Sequence, residues 1–153
     1  MDWWRKIYVA LKNADVRQIV YVPDAGHAEL IEACIEDNDI ISIPLTTEEE
    51  GVAVLAGAWL GGQRGALLMQ SSGVGNCINM FGLMQTCRFP LAAFVTMRGQ
   101  LNEFNPWQMP MGQGTELALS AMNINVETAD NTKDIFEKSL NLFLITVCQM
   151  EFV

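Results

Sequence analysis

Two hydrophobic rhythms alternate along the chain. Short unbroken runs of β-branched, aliphatic and aromatic residues stand at 18–22 (QIVYV), 40–45 (IISIPL), 65–70 (GALLMQ) and 90–97 (PLAAFVTM). Such runs predict strands covered on both faces. Pro44 suits a strand end or an edge, because proline cannot donate to a ladder. Between the runs, apolar residues recur at helical spacing. Leu30, Ile31, Cys34 and Ile35 share one face of a helix over 26–37. The segment 47–62 (TEEEGVAVLAGAWLGG) predicts a helix that stops at Gly61–Gly62, and residues 1–16 read as an amphipathic helix. The stretch 71–76 (SSGVGN) reads as a turn before a helix over CINMFGLMQTC. Further on come a long loop (98–114), a short helix (115–122), a strand at 124–129 (INVETA), a helix over 131–142 with Thr132 as cap, and a last apolar run at 143–147. Strands separated by helices predict a single domain over 1–153, a three-layer α/β/α fold with a mostly parallel sheet of about six strands.

Composition narrows the function. The chain has 153 residues, half of them hydrophobic, and a net charge of -9. That excess of acid argues against a nucleic-acid partner, which calls for a basic face. No polybasic run offers itself to anionic lipid, and no stretch reaches the roughly 18 apolar residues of a membrane span. The N-terminus lacks the apolar core of a signal peptide, so a cytoplasmic location is expected. The apolar content fits a buried interface, including self-association. Cys34, Cys77, Cys87 and Cys148 form no CxxC pair and are expected to be free thiols rather than zinc ligands or disulfides. No metal-ligating set is expected within this chain.

In an open parallel sheet, ligands bind outside the carboxyl ends of the strands. The segments in that place are PDAGH (23–27), TTEEE (46–50), SSGVGN and the 98–114 loop. SSGVGN allows close backbone approach to a ligand, or is simply a tight turn; it is neither a dinucleotide fingerprint nor a Walker A loop. In TTEEE, Thr47 with Glu50 forms a capping box, and acids in a first turn complement the helix dipole. Three adjacent carboxylates at a strand-to-helix junction also fit a catalytic role for one of them. Arg98 can hold a carboxylate, sulfonate or phosphonate bidentately, or pair with one of the chain's many acids. His27, the single histidine, can contact an acidic ligand or donate a proton, or merely begin a helix. Trp59 and Met69 sit at core spacings.

PLTTEEEGVAVLAGAWLGGQRGALLMQSSGVGN resembles the pyrimidine-binding (Pyr) domain of thiamine diphosphate-dependent decarboxylases. YVPDAGH resembles that family's first-strand loop, and MRGQ…NPWQMPMGQGT its late active-site loop. The nearest likeness is to sulfopyruvate decarboxylase alpha subunits and the N-terminal half of phosphonopyruvate decarboxylase. It runs to about residue 130, with Trp59 where relatives usually carry tyrosine. The resemblance implies a glutamate that hydrogen-bonds the cofactor's aminopyrimidine ring, two residues before a glycine and ten before an aromatic. Glu49, with Gly51 and Trp59, meets both spacings. A raised pKa in a partly apolar cleft would suit that role. The likeness further implies cofactor contacts at Pro23, Asp24, Ser72, Gly73, Gly75 and Asn76, and substrate contacts at His27, Ser71, Arg98 and Gln108. The Gly-Asp-Gly motif and Asn-Asn pair with which the family holds Mg2+ and diphosphate are not in this sequence. A beta subunit carrying the diphosphate-binding (PP) domain is therefore expected as partner. The implied reaction is decarboxylation of a small anionic 2-oxo acid, sulfopyruvate to sulfoacetaldehyde and CO2. Phosphonopyruvate, or a non-catalytic Pyr-like binding or regulatory module, are the alternatives.

Overall fold

The computed structural model describes residues 2–100, 102–129, 134–135 and 137–139. Helix α1 (Trp3–Asn13) buries Ile7, Ala10 and Leu11, the stripe its helical spacing dictates. Asp15, in the left-handed region at φ 55°, turns the chain into strand β1 (Val16–Tyr21). A single helical turn at Ala25–His27 leads into α2 (Ala28–Ile35), then β2 (Ile41–Pro44) and α3 (Glu48–Leu60). The end of α3 is a Schellman motif. The Gln63 N–H donates to the Ala58 carbonyl and the Gly62 N–H to that of Trp59, with Gly62 at φ +78°. The Gly61–Gly62 stop signal thus acts through Gly62, which takes the left-handed conformation. Strand β3 (Arg64–Gln70) runs directly into α4 (Ser71–Cys77), followed by α5 (Gly82–Cys87), β4 (Ala92–Thr96) and α6 (Met109–Ala121).

The strands form one parallel sheet in the order β2-β1-β3-β4. Alternate residues supply two cores. Ile19, Tyr21, Ala66 and Leu68 face α1 and α2, packing with Leu11, Leu30 and Cys34. Val20, Leu67 and Met69 pack on the other face with Val52, Leu55, Val74 and Leu119 of α3, α4 and α6. The three-layer expectation holds. The chain leaves β1 toward β2 on one side and returns as β3 on the other, so the strand order reverses between β1 and β3. In open parallel sheets such a reversal marks where ligands bind, outside the carboxyl ends of the strands.

Several expectations are corrected. Four strands, not six, are present among the described residues. Residues 124–129 make no strand: the alternation of Ile124 and Val126 is met by packing on the second core. The 143–147 run lies outside the described residues, as do Thr132 and most of the helix expected over 131–142; residues 134–135 and 137–139 are helical. SSGVGN is a helix rather than a turn, and helix resumes in the late loop at Pro106, well before 115. No helix among the described residues is long and apolar enough to cross a membrane.

Candidate active site

At the exit of β1, Asp24 is the hub. Its Oδ1 accepts the Gly26 N–H at 2.6 Å, while Oδ2 lies 3.0 Å from both His27 Nδ1 and Thr96 Oγ1. A carboxylate can only accept, so His27 carries its hydrogen on Nδ1. Burial pushes the Asp24 carboxyl up, but the hydrogen bonds from His27, Gly26 and Thr96 outweigh it and leave its pKa below the ordinary value. Thr96 ends β4, so this contact reaches across β3. A β-carbon on Gly26 would fall 2.9 Å from Thr96 Cγ2, which is why glycine fits there. His27 is 1% exposed, its ring edge-on to Trp3. Pro23 is exposed beside this hub.

At the exit of β2, the three glutamates go three ways. Glu48 is 7% exposed, and its Oε2 accepts from Asn76 Nδ2 at 2.8 Å. Glu49 remains part-exposed at the rim, its carboxylate accepting from the Thr47 hydroxyl. Glu50 is exposed and accepts the Thr46 N–H at 2.9 Å. The expected box of Thr47 with Glu50 does not close: Thr47 is the N-cap but its side chain accepts no backbone N–H, Glu50 takes the Thr46 N–H instead, and the Thr47 hydroxyl turns to Glu49. The Thr47 hydrogen bond, with one from the backbone N–H of Glu49, lowers the Glu49 pKa. That reverses the raised value expected from an apolar cleft, because the rim is solvated.

At the exits of β3 and β4, Arg98 meets the answering acid. Its Nε and Nη2 donate to Glu103 at 2.9 and 2.5 Å, and Nη1 donates to Gln70 Oε1 at 3.1 Å. Glu103 also accepts the N–H groups of Gly99 and Asn105. Arg98 first, then these two N–H groups, hold the Glu103 carboxyl down at about 2. The backbone N–H of Arg98 donates to Ser71 Oγ. Ser71 is 0% exposed and Gln108 3%, and Gln108 Oε1 has no hydrogen-bond partner. The side chains of His27, Ser71 and Gln108, expected from the sequence to contact substrate, are enclosed by the chain itself. Ser72 is part-exposed, Gly75 and Asn76 are exposed, and Gly73 is buried under Glu48.

All four segments singled out in the sequence thus converge on one edge of the sheet. Thr96, Glu103, Gln70 and the inward Glu48 were not foreseen. An arginine and a glutamate five residues apart in one loop was the available signal for Glu103. Among the described residues no group of three His, Cys, Asp or Glu side chains is placed to hold a metal ion.

No family model matches the chain. Individual proteins do. It is 38% identical over 144 residues to the sulfopyruvate decarboxylase subunit alpha of Methanococcus maripaludis, covering 89% of this chain and 86% of that one. With the subunit alpha of Methanocaldococcus jannaschii the identity is 42% over 119 residues, covering 77% and 70%. The chain belongs to the sulfopyruvate decarboxylase alpha-subunit family. Phosphonopyruvate decarboxylase of Streptomyces viridochromogenes is 32% identical over 84% of this chain, which spans 33% of that protein. Among solved structures, 2-oxoglutarate:ferredoxin oxidoreductase from Magnetococcus marinus, with 2-oxoglutarate, coenzyme A and succinyl-CoA bound, superposes with a TM-score of 0.73. The identity is 12% and this chain spans 27% of that one, so the likeness shows a shared fold alone.

Proposed function

We propose that this protein is the alpha subunit of a thiamine diphosphate-dependent carboxy-lyase that converts sulfopyruvate to sulfoacetaldehyde and CO2. One observation carries the reading. In a chain 36–42% identical to sulfopyruvate decarboxylase alpha subunits, Glu49 stands part-exposed at the start of α3, on the carboxyl edge of the sheet. The residues present fit an aminopyrimidine. An ionised carboxylate on the rim is the acceptor a protonated ring nitrogen requires, and the Thr47 hydroxyl keeps Glu49 ionised. Bound thiamine diphosphate supplies the electron sink for loss of CO2. Glu49 would hold the proton shared with that ring at its carboxylate, while Pro23, Asp24, Ser72, Gly75 and Asn76 would line the approach.

The substrate carries two anionic groups. Arg98 has five N–H donors, three of them engaged by Glu103 and Gln70. Its charge is matched by Glu103, so Arg98 serves as an oriented hydrogen-bond donor rather than an unbalanced cation. Gln108, with its orphaned Oε1, is the second polar group of the late loop to settle against a ligand. His27 acts through Asp24, holding the β1 exit in place. The relatives named subunit alpha imply a second subunit, and we assign to it the PP domain, the diphosphate and Mg2+. Phosphonopyruvate is the second reading, favoured by the Streptomyces relatives.

The test is reconstitution with a beta subunit, thiamine diphosphate and Mg2+, following CO2 release from sulfopyruvate and from phosphonopyruvate. Glu49→Gln is expected to lower kcat by about 10²–10⁴-fold, the usual worth of a proton-transfer group. Full activity in that variant would remove Glu49 from the mechanism. Faster turnover of phosphonopyruvate would replace the substrate.

A further inference from the structure

Glu48 has no role in the mechanism above, yet it is the most enclosed of the three glutamates. It is the first residue of α3, where the helix dipole favours a negative charge. Its side chain does not turn to solvent as a dipole-complementing acid ordinarily would. It crosses onto α4, where Asn76 Nδ2 donates to Oε2 at 2.8 Å. It also occupies the space a side chain at position 73 would take. A β-carbon on Gly73 would lie 2.5 Å from Glu48 Cγ and 2.6 Å from both Cδ and Oε1. Gly73 is not at positive φ, so this close approach, rather than backbone conformation, is what glycine provides there. Cys77, one helical turn beyond Gly73, senses the same carboxylate. Burial raises its thiol to about 12, and the charges of Glu48 and Glu49 push in the same direction.

From this geometry we propose that Glu48 is a positioning residue: its carboxylate, clamped between Asn76 and the Gly73 backbone, fixes the rotation of the α3 N-terminus and thereby the direction of Glu49. Consecutive helical residues project about 100° apart, so locking one side chain inward sets where the next one points. The clamp needs an acceptor oxygen, not a negative charge. The inference rests on Glu49 being the proton-handling group.

Glutamine separates positioning from chemistry, because its amide oxygen still accepts from Asn76 whereas it cannot exchange a proton as a carboxylate does. In the enzyme reconstituted with beta subunit, thiamine diphosphate and Mg2+, Glu48→Gln is expected to keep kcat within about threefold. Glu48→Ala is expected to lower kcat by about 10²-fold with KM little changed, the cost of a misplaced catalytic group. In the isolated chain, Glu48→Ala is expected to speed amide hydrogen exchange in the first turn of α3, a readout that needs neither partner nor cofactor. Gly73→Ala, which pushes the carboxylate out, is expected to mimic Glu48→Ala, and the pair combined to be no worse than Glu48→Ala alone. The proposal fails if Gln is as damaging as Ala, or if Ala leaves both kcat and exchange unchanged. Glu49→Gln in the same assay reads the underlying assignment separately: a fully active Glu49→Gln beside an inactive Glu48→Gln would move the chemistry to Glu48.

Discussion

Glu103 shows how one side chain organises a loop. It accepts from the Nε–Nη2 edge of Arg98 and from the backbone N–H groups of Gly99 and Asn105, so this part of the loop gathers around a single carboxylate. Its folded pKa is depressed to about 2, below its unfolded value. The stability it contributes is therefore complete above the unfolded pKa and lost as pH falls through the folded one. Glu103→Gln is expected to lower the melting temperature at neutral pH, and the gap from the parent should narrow steadily below about pH 4. A gap independent of pH would mean that the ion pair adds nothing. At this scale the sequence was legible where a place follows from local pattern: TTEEE opens α3 at the exit of β2, which puts Glu49 on the carboxyl edge. It was not legible where a role follows from a contact that only the fold creates. Thr96 meets Asp24 from 72 residues away, and Asn76 meets Glu48 from 28. No local pattern marks either pair.

Among the elements, α3 and α6 are seated by missing side chains. A β-carbon at Gly51 would lie 2.8 Å from Leu67 Cδ1 and 2.9 Å from Leu45 Cδ1, so α3 rests directly on the sheet. Gly51→Ala should cost about 1–3 kcal/mol by overpacking, read as a lower urea midpoint with an unchanged slope. Gly112 is tighter still. Its β-carbon would fall 2.0 Å from the Arg98 carbonyl oxygen, which is backbone and cannot rotate away. Gly112→Ala should therefore destabilise more than Gly51→Ala, and a smaller effect would mean that α6 can slide. Strands β1 and β3 and helix α3 were readable because burial on both faces and the glycine stop signal are local properties, and the edge strands β2 and β4 because their apolar runs are short and unbroken. SSGVGN was misread because glycines that permit close packing look, in sequence, like glycines that permit a turn. The INVETA segment was misread because alternation reports one buried face, not a hydrogen-bonded neighbour.

For the molecule as a whole, the carboxyl edge carries both the polar hubs and an uncovered apolar rim. Phe104 is 90% exposed and Trp107 70%, both in the segment that follows Arg98. If a second subunit closes the site, these rings are the natural anchors. Trp107→Ala should then weaken association by about 2 kcal/mol or more, measurable by calorimetric titration of one subunit into the other. An unchanged affinity would place the contact elsewhere. The Asp24 tie carries a consequence of a different kind, for the history of the sequence. Because one carboxylate oxygen serves both His27 and Thr96, losing it leaves a buried donor and a part-buried one without an acceptor at once. Across the alpha-subunit family, positions 24, 27 and 96 should accordingly be inherited as a set, replaced together or not at all.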